Sequence, residues 1–224
     1  MSANAVVEVR LDGVVLPGIL RIPERPTMIV LFAHGSGSSR LSPRNNSIAR
    51  VFRSGGVASL LTDLLTVEED ADYAMRFDIA LLSERLGDVV EWLGKQPATR
   101  DLLIGLFGAS TGAAAALQVA ARLGDRIVAV VSRGGRPDMA LGALPQVVSP
   151  TLLIVGGYDD HVIELNRIAF RALRCEKELK IVPGATHLFE EPGTLEQVAD
   201  LALEWFKRFA EARQVSAPAA SAGD

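Results

Sequence analysis

One short segment, Gly108-Ala109-Ser110-Thr111-Gly112, constrains the fold of this chain more than any other. An apolar run at residues 102–107 precedes it, and an Ala-rich run that favours helix follows it at residues 113–121. The pattern G-x-S-x-G between a strand and a helix is typical of a nucleophile elbow, a tight turn that holds its serine in a strained backbone conformation. The two glycines let the strand and the helix pass close to each other. We therefore expect the Ser110 hydroxyl to be exposed at the end of a strand and the start of a helix.

Strand and helix patterns alternate along almost the whole chain. Asp12-Gly13 joins the first two strand patterns and favours a hairpin. The alternation that follows predicts an α/β fold with a mostly parallel, doubly wound sheet of about eight strands, to which the hairpin adds an antiparallel edge. Residues 68–72 are acidic and are expected to be solvated. The predicted strands are 5–11, 14–22, 28–33, 57–61, 102–107, 127–131, 151–155 and 177–182, and the predicted helices are 45–53, 78–93, 113–121, 139–144, 163–173 and 195–213.

Length and composition indicate one ordinary globular domain. The chain has 224 residues, and we expect residues 1–213 to form the domain and residues 214–224, rich in Ala, Ser, Pro and Gly, to form a disordered tail. The net charge of −4 comes without a basic block, which argues against a nucleic-acid partner. No apolar run is long enough to span a membrane, and the first residues lack the pattern of a signal peptide. These features favour a cytoplasmic protein, and an exposed edge strand could support a homodimer.

Three residues that follow different predicted strands suggest nucleophilic catalysis. A serine hydroxyl needs a base, and His187 lies shortly after a predicted strand at the carboxyl edge of the sheet. Asp159 follows another strand at this edge and could orient the imidazole. The order Ser110, Asp159, His187 is the order used on doubly wound hydrolase sheets. Asp160 is the alternative acid, although it could instead cap the following helix.

A glycine-rich loop after the third predicted strand, His34-Gly35-Ser36-Gly37, could stabilise a developing oxyanion. The expected donors are the backbone N–H of Thr111 and one from the loop, which we assign to Ser36. We interpret His34 as a residue that holds the loop rather than as a second base. A contact between His34 and the substrate is the alternative. The loop has no lysine for a phosphate-binding P-loop, and Arg40 stands where a dinucleotide fingerprint needs its third glycine.

Four arginines fall in loops predicted at the same edge: Arg40, Arg44, Arg133 and Arg136. A guanidinium there could grip a substrate carboxylate, and the alternative is a local ion pair with Asp63 or Asp138. Arg40 and Arg133 are the candidate substrate contacts, and Arg133 is preferred because it lies closest to a strand end.

The other residues with possible chemistry have simpler interpretations. His161 is expected to be exposed at a helix start, and Cys175, the only cysteine, is expected to be unreactive. The histidines are not spaced as metal ligands, so no metal is expected.

At the level of whole motifs the chain resembles a known family. HGSGS, GASTG, GGYDDHV and PGATHLFEE together resemble the dienelactone hydrolase-like branch of the α/β-hydrolase superfamily, over about residues 5–210. The resemblance implies an ester hydrolase that needs no cofactor, with Ser110 as nucleophile, Asp159 as acid and His187 as base. Founding members use a cysteine nucleophile, so the serine favours ordinary carboxylic esters over dienelactones. The short segment between Val131 and Pro150 leaves no room for a large cap domain.

The resulting hypothesis is a serine carboxylesterase that acts on small-molecule esters through an acyl-enzyme intermediate. Two other readings remain open. The same three residues could cleave thioesters, amides or lactones, or the chain could be a non-catalytic binding protein on a hydrolase scaffold.

Overall fold

The computed structural model describes residues 3–216, which form one eight-stranded sheet with helices on both faces. The strand order is β1-β2-β4-β3-β5-β6-β7-β8. Strand β2 is antiparallel to both β1 and β4, and all other neighbours are parallel. The strands are β1 (Ala3–Leu11), β2 (Val14–Ile22), β3 (Met28–Ala33), β4 (Ala58–Thr62), β5 (Leu103–Ala109), β6 (Ile127–Arg133), β7 (Thr151–Gly156) and β8 (Lys177–Val182).

Six α-helices connect and cover the described part of this sheet. They are α1 (Pro43–Ser54), α2 (Val67–Ala71), α3 (Ile79–Lys95), α4 (Thr111–Leu123), α5 (Asp160–Ala172) and α6 (Thr194–Ser216). Helices α3 and α4 bury apolar side chains in one core on one face, and α1 and α6 bury theirs in a second core on the other face. This two-sided cover is what a mostly parallel sheet requires.

Strand β3 shows why its sequence is apolar at every position. Met28, Val30 and Phe32 belong to the core beneath α1 and α6. Ile29 and Leu31 point the other way, into the core beneath α3 and α4. Successive strand residues face opposite sides of the sheet. In a strand covered on both faces, every side chain therefore points into a hydrophobic core.

The sheet order places the loops that carry the candidate residues next to one another. Strands β3, β5, β6, β7 and β8 are consecutive neighbours and run parallel. Their carboxyl ends therefore share one edge, where ligands bind in open α/β sheets. Ser36 follows β3, Ser110 follows β5, Arg133 ends β6, Asp159 follows β7 and His187 follows β8.

The predicted fold class is confirmed, including the antiparallel hairpin at the edge and the absence of a large cap domain. Three local predictions differ, two of them on helices and one on the acidic stretch at residues 68–72. The predicted helix at 139–144 is replaced by two short 3₁₀ turns, Pro137–Ala140 and Leu144–Gln146. The helix expected to end near residue 213 continues to Ser216, and the rest of the predicted tail, residues 217–224, lies outside the described residues. No helix within residues 3–216 is long and apolar enough to cross a membrane.

The acidic stretch at residues 68–72 is not simply solvated, because it contributes to the short helix α2. Thr66 and Glu69 form a capping box at its start, since each side chain accepts a hydrogen bond from the other residue's backbone N–H. The Glu69 carboxylate also pairs with Arg85 at 2.7 Å, and both side chains are largely buried. The Arg85 guanidinium lowers the pKa of Glu69 through this hydrogen bond.

Gly112→Ala should destabilise the fold by about 3 kcal/mol, because the added Cβ would lie 2.2 Å from the backbone oxygen of Ala33. Gly94→Ala is the matched control. Gly94 is exposed on α3 with open space around it, so this variant should gain up to about 1 kcal/mol from helix propensity. Urea unfolding of both variants measures the difference, and equal stabilities would contradict the close approach of α4 to β3.

Candidate active site

Ser110 lies in the strained turn that its motif predicts. Its backbone has φ 50° and ψ −124°, and it is one of three non-glycine residues with positive φ in the described chain. A Cβ at Gly108 would lie 2.4 Å from Ala113 Cα, so glycine is required there. Ser110 occupies the N-cap position of α4 but its hydroxyl does not cap the helix. The hydroxyl therefore remains available for chemistry, and Ser110 lines a pocket at this edge of the sheet.

His187 and Asp159 are in direct contact. His187 Nδ1 lies 2.6 Å from Asp159 Oδ2, and the side chains are 39% and 15% exposed. With the Nδ1 proton donated to the carboxylate, the Nε2 atom of a neutral His187 is a proton acceptor. Asp160 is exposed and begins α5, whose N-cap is Asp159, so the alternative capping role for Asp160 is not observed.

Ser110 and His187 line the same pocket, which has a volume of about 240 Å³. The wall combines polar side chains with apolar ones. It is formed by Gly35, Ser36, Ser38, Ser42, Arg44, Ala109, Ser110, Arg133, His187 and Leu188. The pocket brings together residues from loops after β3, β5, β6 and β8, as the sheet order predicts.

The two expected oxyanion donors, Ser36 and Thr111, are joined by a hydrogen bond that the sequence motif does not reveal. The backbone N–H of Ser36 donates to the side-chain oxygen of Thr111 at 3.0 Å. The backbone N–H of Thr111 belongs to the first turn of α4, where N–H groups have no partner within the helix. Gly35 packs against the elbow, because a Cβ there would lie 2.9 Å from Ser110 Cβ.

His34 holds the loop after β3 and does not contact the pocket. Its Nδ1 lies 3.0 Å from the Gly35 carbonyl oxygen, and its Nε2 accepts a hydrogen bond from the Leu64 N–H at 3.2 Å. Both ring nitrogens are thus used in the protein. Burial lowers the pKa of His34, and the Gly35 hydrogen bond and the Asp63 charge oppose this only in part.

The four arginines separate into two groups. Arg40 pairs with Asp63 through its guanidinium and its backbone N–H, and it does not line the pocket, so its expected substrate contact is replaced by an ion pair. Arg136 likewise forms two hydrogen bonds to Asp138, at 2.9 and 2.8 Å. Arg44 and Arg133 line the pocket, and Arg133 is 7% exposed.

The remaining interpretations concern residues away from the pocket. His161 is exposed on the first turn of α5. Cys175 is partly buried, which raises the pKa of its thiol and disfavours the reactive thiolate. Among residues 3–216, no three His, Cys, Asp or Glu side chains are grouped so that they could hold a metal ion.

Comparison with known proteins identifies the family of this chain. The model of the dienelactone hydrolase family matches residues 17–212. This chain belongs to the dienelactone hydrolase family. A solved dienelactone hydrolase from Anabaena variabilis ATCC 29413 is 53% identical, with a TM-score of 0.90 over 93% of this chain and 98% of that chain. Est1E from Butyrivibrio proteoclasticus shares the fold at 16% identity, with a TM-score of 0.78 over 92% of this chain and 99% of that chain.

A curated relative is longer than this chain. A protein of Mycobacterium tuberculosis (strain ATCC 25618 / H37Rv), named "Putative phosphoribosyl transferase", is 57% identical over 200 residues. That match covers 89% of this chain and 45% of the relative. The chain therefore spans about half the length of the curated relatives it matches.

Sequence reasoning missed the residues that hold the His187 loop. The Glu191 carboxylate accepts hydrogen bonds from the Thr186 N–H at 3.0 Å and the Thr186 hydroxyl at 2.7 Å, which lower its pKa. Phe189 has φ 56° and is 2% exposed, so a buried ring anchors the loop on the other side of His187. Glu191 lies four residues after His187 in the motif HLFEE, and this position is the sequence signal that could have identified it.

The lowered pKa of His34 predicts a pH dependence of stability. The unfolded state binds a proton near the ordinary histidine pKa, whereas the folded state resists it, so the free energy of unfolding should fall as pH decreases below about 6.5. The slope from this one group is at most about 1.4 kcal/mol per pH unit. The His34 contribution to the pH dependence of the free energy of unfolding should disappear in His34→Gln. The same contribution should persist in His161→Gln, which changes an exposed histidine and serves as the control. Urea unfolding at pH 5 to 8 measures it, and identical slopes in the wild type and His34→Gln would contradict the buried neutral imidazole.

Proposed function

We propose that this chain is a serine hydrolase that cleaves carboxylic ester bonds with Ser110, His187 and Asp159. The observation that carries the proposal is the 2.6 Å contact between His187 Nδ1 and Asp159, beside a pocket that His187 shares with Ser110. A histidine held by a carboxylate on one nitrogen, with the other free, is arranged as a general base. A serine held in a strained turn that lines the same pocket is the matching nucleophile.

The reaction begins when His187 Nε2 takes the proton of the Ser110 hydroxyl. Ser110 Oγ attacks the ester carbonyl carbon, and the carbonyl oxygen becomes an oxyanion. His187 then gives its proton to the leaving alcohol as the C–O bond breaks. His187 then deprotonates water, which attacks the acyl group on Ser110, and it returns this proton to Ser110 Oγ as the acyl–oxygen bond breaks and the acid leaves. Asp159 keeps the imidazole in one tautomer and stabilises its charged form throughout.

The oxyanion is stabilised by the backbone N–H groups of Thr111 and Ser36. The Thr111 N–H is unused within its helix and supports the proposal directly. The Ser36 N–H donates to the Thr111 hydroxyl oxygen when no substrate is bound. It therefore exchanges this acceptor for the stronger, charged one as the tetrahedral intermediate forms.

Membership of the dienelactone hydrolase family supports hydrolysis of an ester bond as the reaction class. The small volume of the pocket, about 240 Å³, suits a small-molecule ester rather than a long acyl chain. We also propose that the protein acts in the cytoplasm and needs no cofactor. A fluorophosphonate probe that fails to label Ser110 would support the binding-protein alternative instead.

Ser110→Ala should reduce the hydrolysis of p-nitrophenyl acetate by at least about 10³-fold, because the attacking oxygen is lost. Alanine fits the same turn as serine, so the unfolding temperature should change little. Steady-state rates and thermal unfolding of the wild type and the variant measure both effects. Retained turnover by a pure sample of the variant would remove Ser110 from its proposed role.

Asp159→Asn should lower kcat by about 10³- to 10⁴-fold, because an amide cannot hold the imidazole in the productive tautomer or balance its charge. Asp160→Asn is the matched control on the neighbouring exposed residue and should stay within about twofold of the wild type. The comparison uses kcat for p-nitrophenyl acetate at pH 8. A larger loss in Asp160→Asn would reassign the acid.

A further inference from the structure

Arg133 is a buried cation that no carboxylate in the described part of the chain neutralises. It is 7% exposed, ends β6 and lines the pocket beside Ser110 and His187. Its Nη2 atom lies 3.4 Å from Asn45 Oδ1, its guanidinium carbon lies 5.8 Å from the centre of the Phe189 ring, and its Nε has no partner. Within residues 3–216, no Asp or Glu forms an ion pair with it. Buried charges are normally paired, so this guanidinium has capacity for a negatively charged partner.

A second arginine adds positive charge to the same wall. Arg44 lines the pocket, and its Nε is also buried without a partner, although its Nη1 pairs with Glu190 at 3.1 Å. Burial, with the Arg44 charge as a second cause, lowers the pKa of Arg133 to about 10. Arg133 therefore stays charged at neutral pH, and an anion between the two arginines would relieve their repulsion.

The N-terminus of α1 reaches the pocket at the same place. Ser42 is the N-cap of this 12-residue helix and lines the pocket together with Ser38. The first turn contains no acidic residue, so the positive end of the helix dipole has no negative side chain of its own. Pro43 has no N–H and the Asn45 N–H donates to Ser42 Oγ at 3.3 Å, so the start of α1 favours an anion through its dipole and the Ser42 hydroxyl. The buried guanidinium of Arg133 lines the same cavity.

We infer that this end of the pocket binds an anionic oxygen group of the substrate, held by Arg133, Arg44 and the start of α1, and that phosphate fits it best. The donors come from three elements: Arg133 at the end of β6, Arg44 in the first turn of α1, and the Ser38 and Ser42 hydroxyls in the loop after β3. A tetrahedral phosphate offers oxygens in three directions, whereas a planar carboxylate offers two. The substrate class is then a carboxylic ester that carries a phosphate group. The ester part rests on the proposed function, but the anion site does not.

Binding of inorganic phosphate tests the site without any catalysis. Phosphate and acetate are titrated into the full chain by calorimetry in a buffer free of both ions. Phosphate should bind the wild type and Arg171→Met, an exposed arginine on α5 outside the pocket lining, with equal affinity. Arg133→Met should weaken phosphate binding by about tenfold or more. Unchanged binding in Arg133→Met would overturn the inference, and tighter binding of acetate than of phosphate would overturn the choice of phosphate.

The thermal stability of Arg133→Met distinguishes a ligand-binding role of Arg133 from a structural role. Methionine has a similar length and no charge, so Arg133→Met removes an uncompensated buried charge. Its unfolding temperature should equal or exceed that of the wild type, whereas an arginine kept for structure would lower it on substitution. Arg44→Met, at a side chain that is 33% exposed, is a second variant if the first does not fold, and it should weaken phosphate binding by about threefold or more.

Ester pairs then connect the site to turnover. The substrates are p-nitrophenyl esters of 3-phosphonopropanoic acid, butanedioic acid and pentanoic acid, which differ in the group at the far end of the acyl chain. The preference in kcat/KM for the phosphonate over the neutral ester should fall by about tenfold or more in Arg133→Met and stay constant in Arg171→Met. If the neutral ester is hydrolysed without any preference for the phosphonate, and phosphate does not bind, the anion site is contradicted and the proposed function is not. If phosphate binds but no ester is hydrolysed, the proposed function is contradicted and the anion site is not.

Discussion

The candidate site depends on the close approach of the first turn of α4 to the end of β3. A Cβ at Gly112 would lie 2.2 Å from the Ala33 oxygen, so the two backbones are in contact with no side chain between them. That contact places Thr111 beside Ser36 and allows the hydrogen bond that joins the two loops. The positive φ of Ser110 is stable only because this packing holds the turn on both sides.

The parallel sheet could be predicted because its signal is strong and repeated. Runs such as residues 28–33 are apolar at every position, as expected for strands covered on both faces, and the turn residues between elements mark where each strand ends. Once strands alternate with helices, the carboxyl ends must share an edge. The placement of Asp159 and His187 at one site followed from topology, since the two residues are 28 positions apart in sequence.

The roles of the arginines could not be predicted, because they depend on which carboxylate lies within reach after folding. Arg40 and Arg133 both come after apolar runs, and the sequence separated them only by the shorter distance of Arg133 from a strand end. The end of β4 brings Asp63 to Arg40, while Arg133 is directed inward against Asn45 and Phe189, where the described chain supplies no carboxylate. The Thr111 hydroxyl was missed for a related reason. The motif identifies its backbone N–H, but the partner of its side chain lies 75 residues away.

A strained serine and an unpaired buried arginine at one edge require strong packing elsewhere. That packing lies directly below the site. Phe32 and Phe107 sit on β3 and β5, with ring centres 4.9 Å apart, and their strands lead into the loops of Ser36 and Ser110. Phe52 of α1 packs tilted against Phe32 and edge-on against Phe107, with ring centres 5.7 and 6.1 Å away, which connects the helix that begins at the pocket to the same strands. Aromatic contacts of this kind are each worth about 0.5–1.5 kcal/mol beyond the burial of their area. The core thus offsets the cost of the polar edge, and it does so through the elements that must stay fixed for the donors to keep their positions.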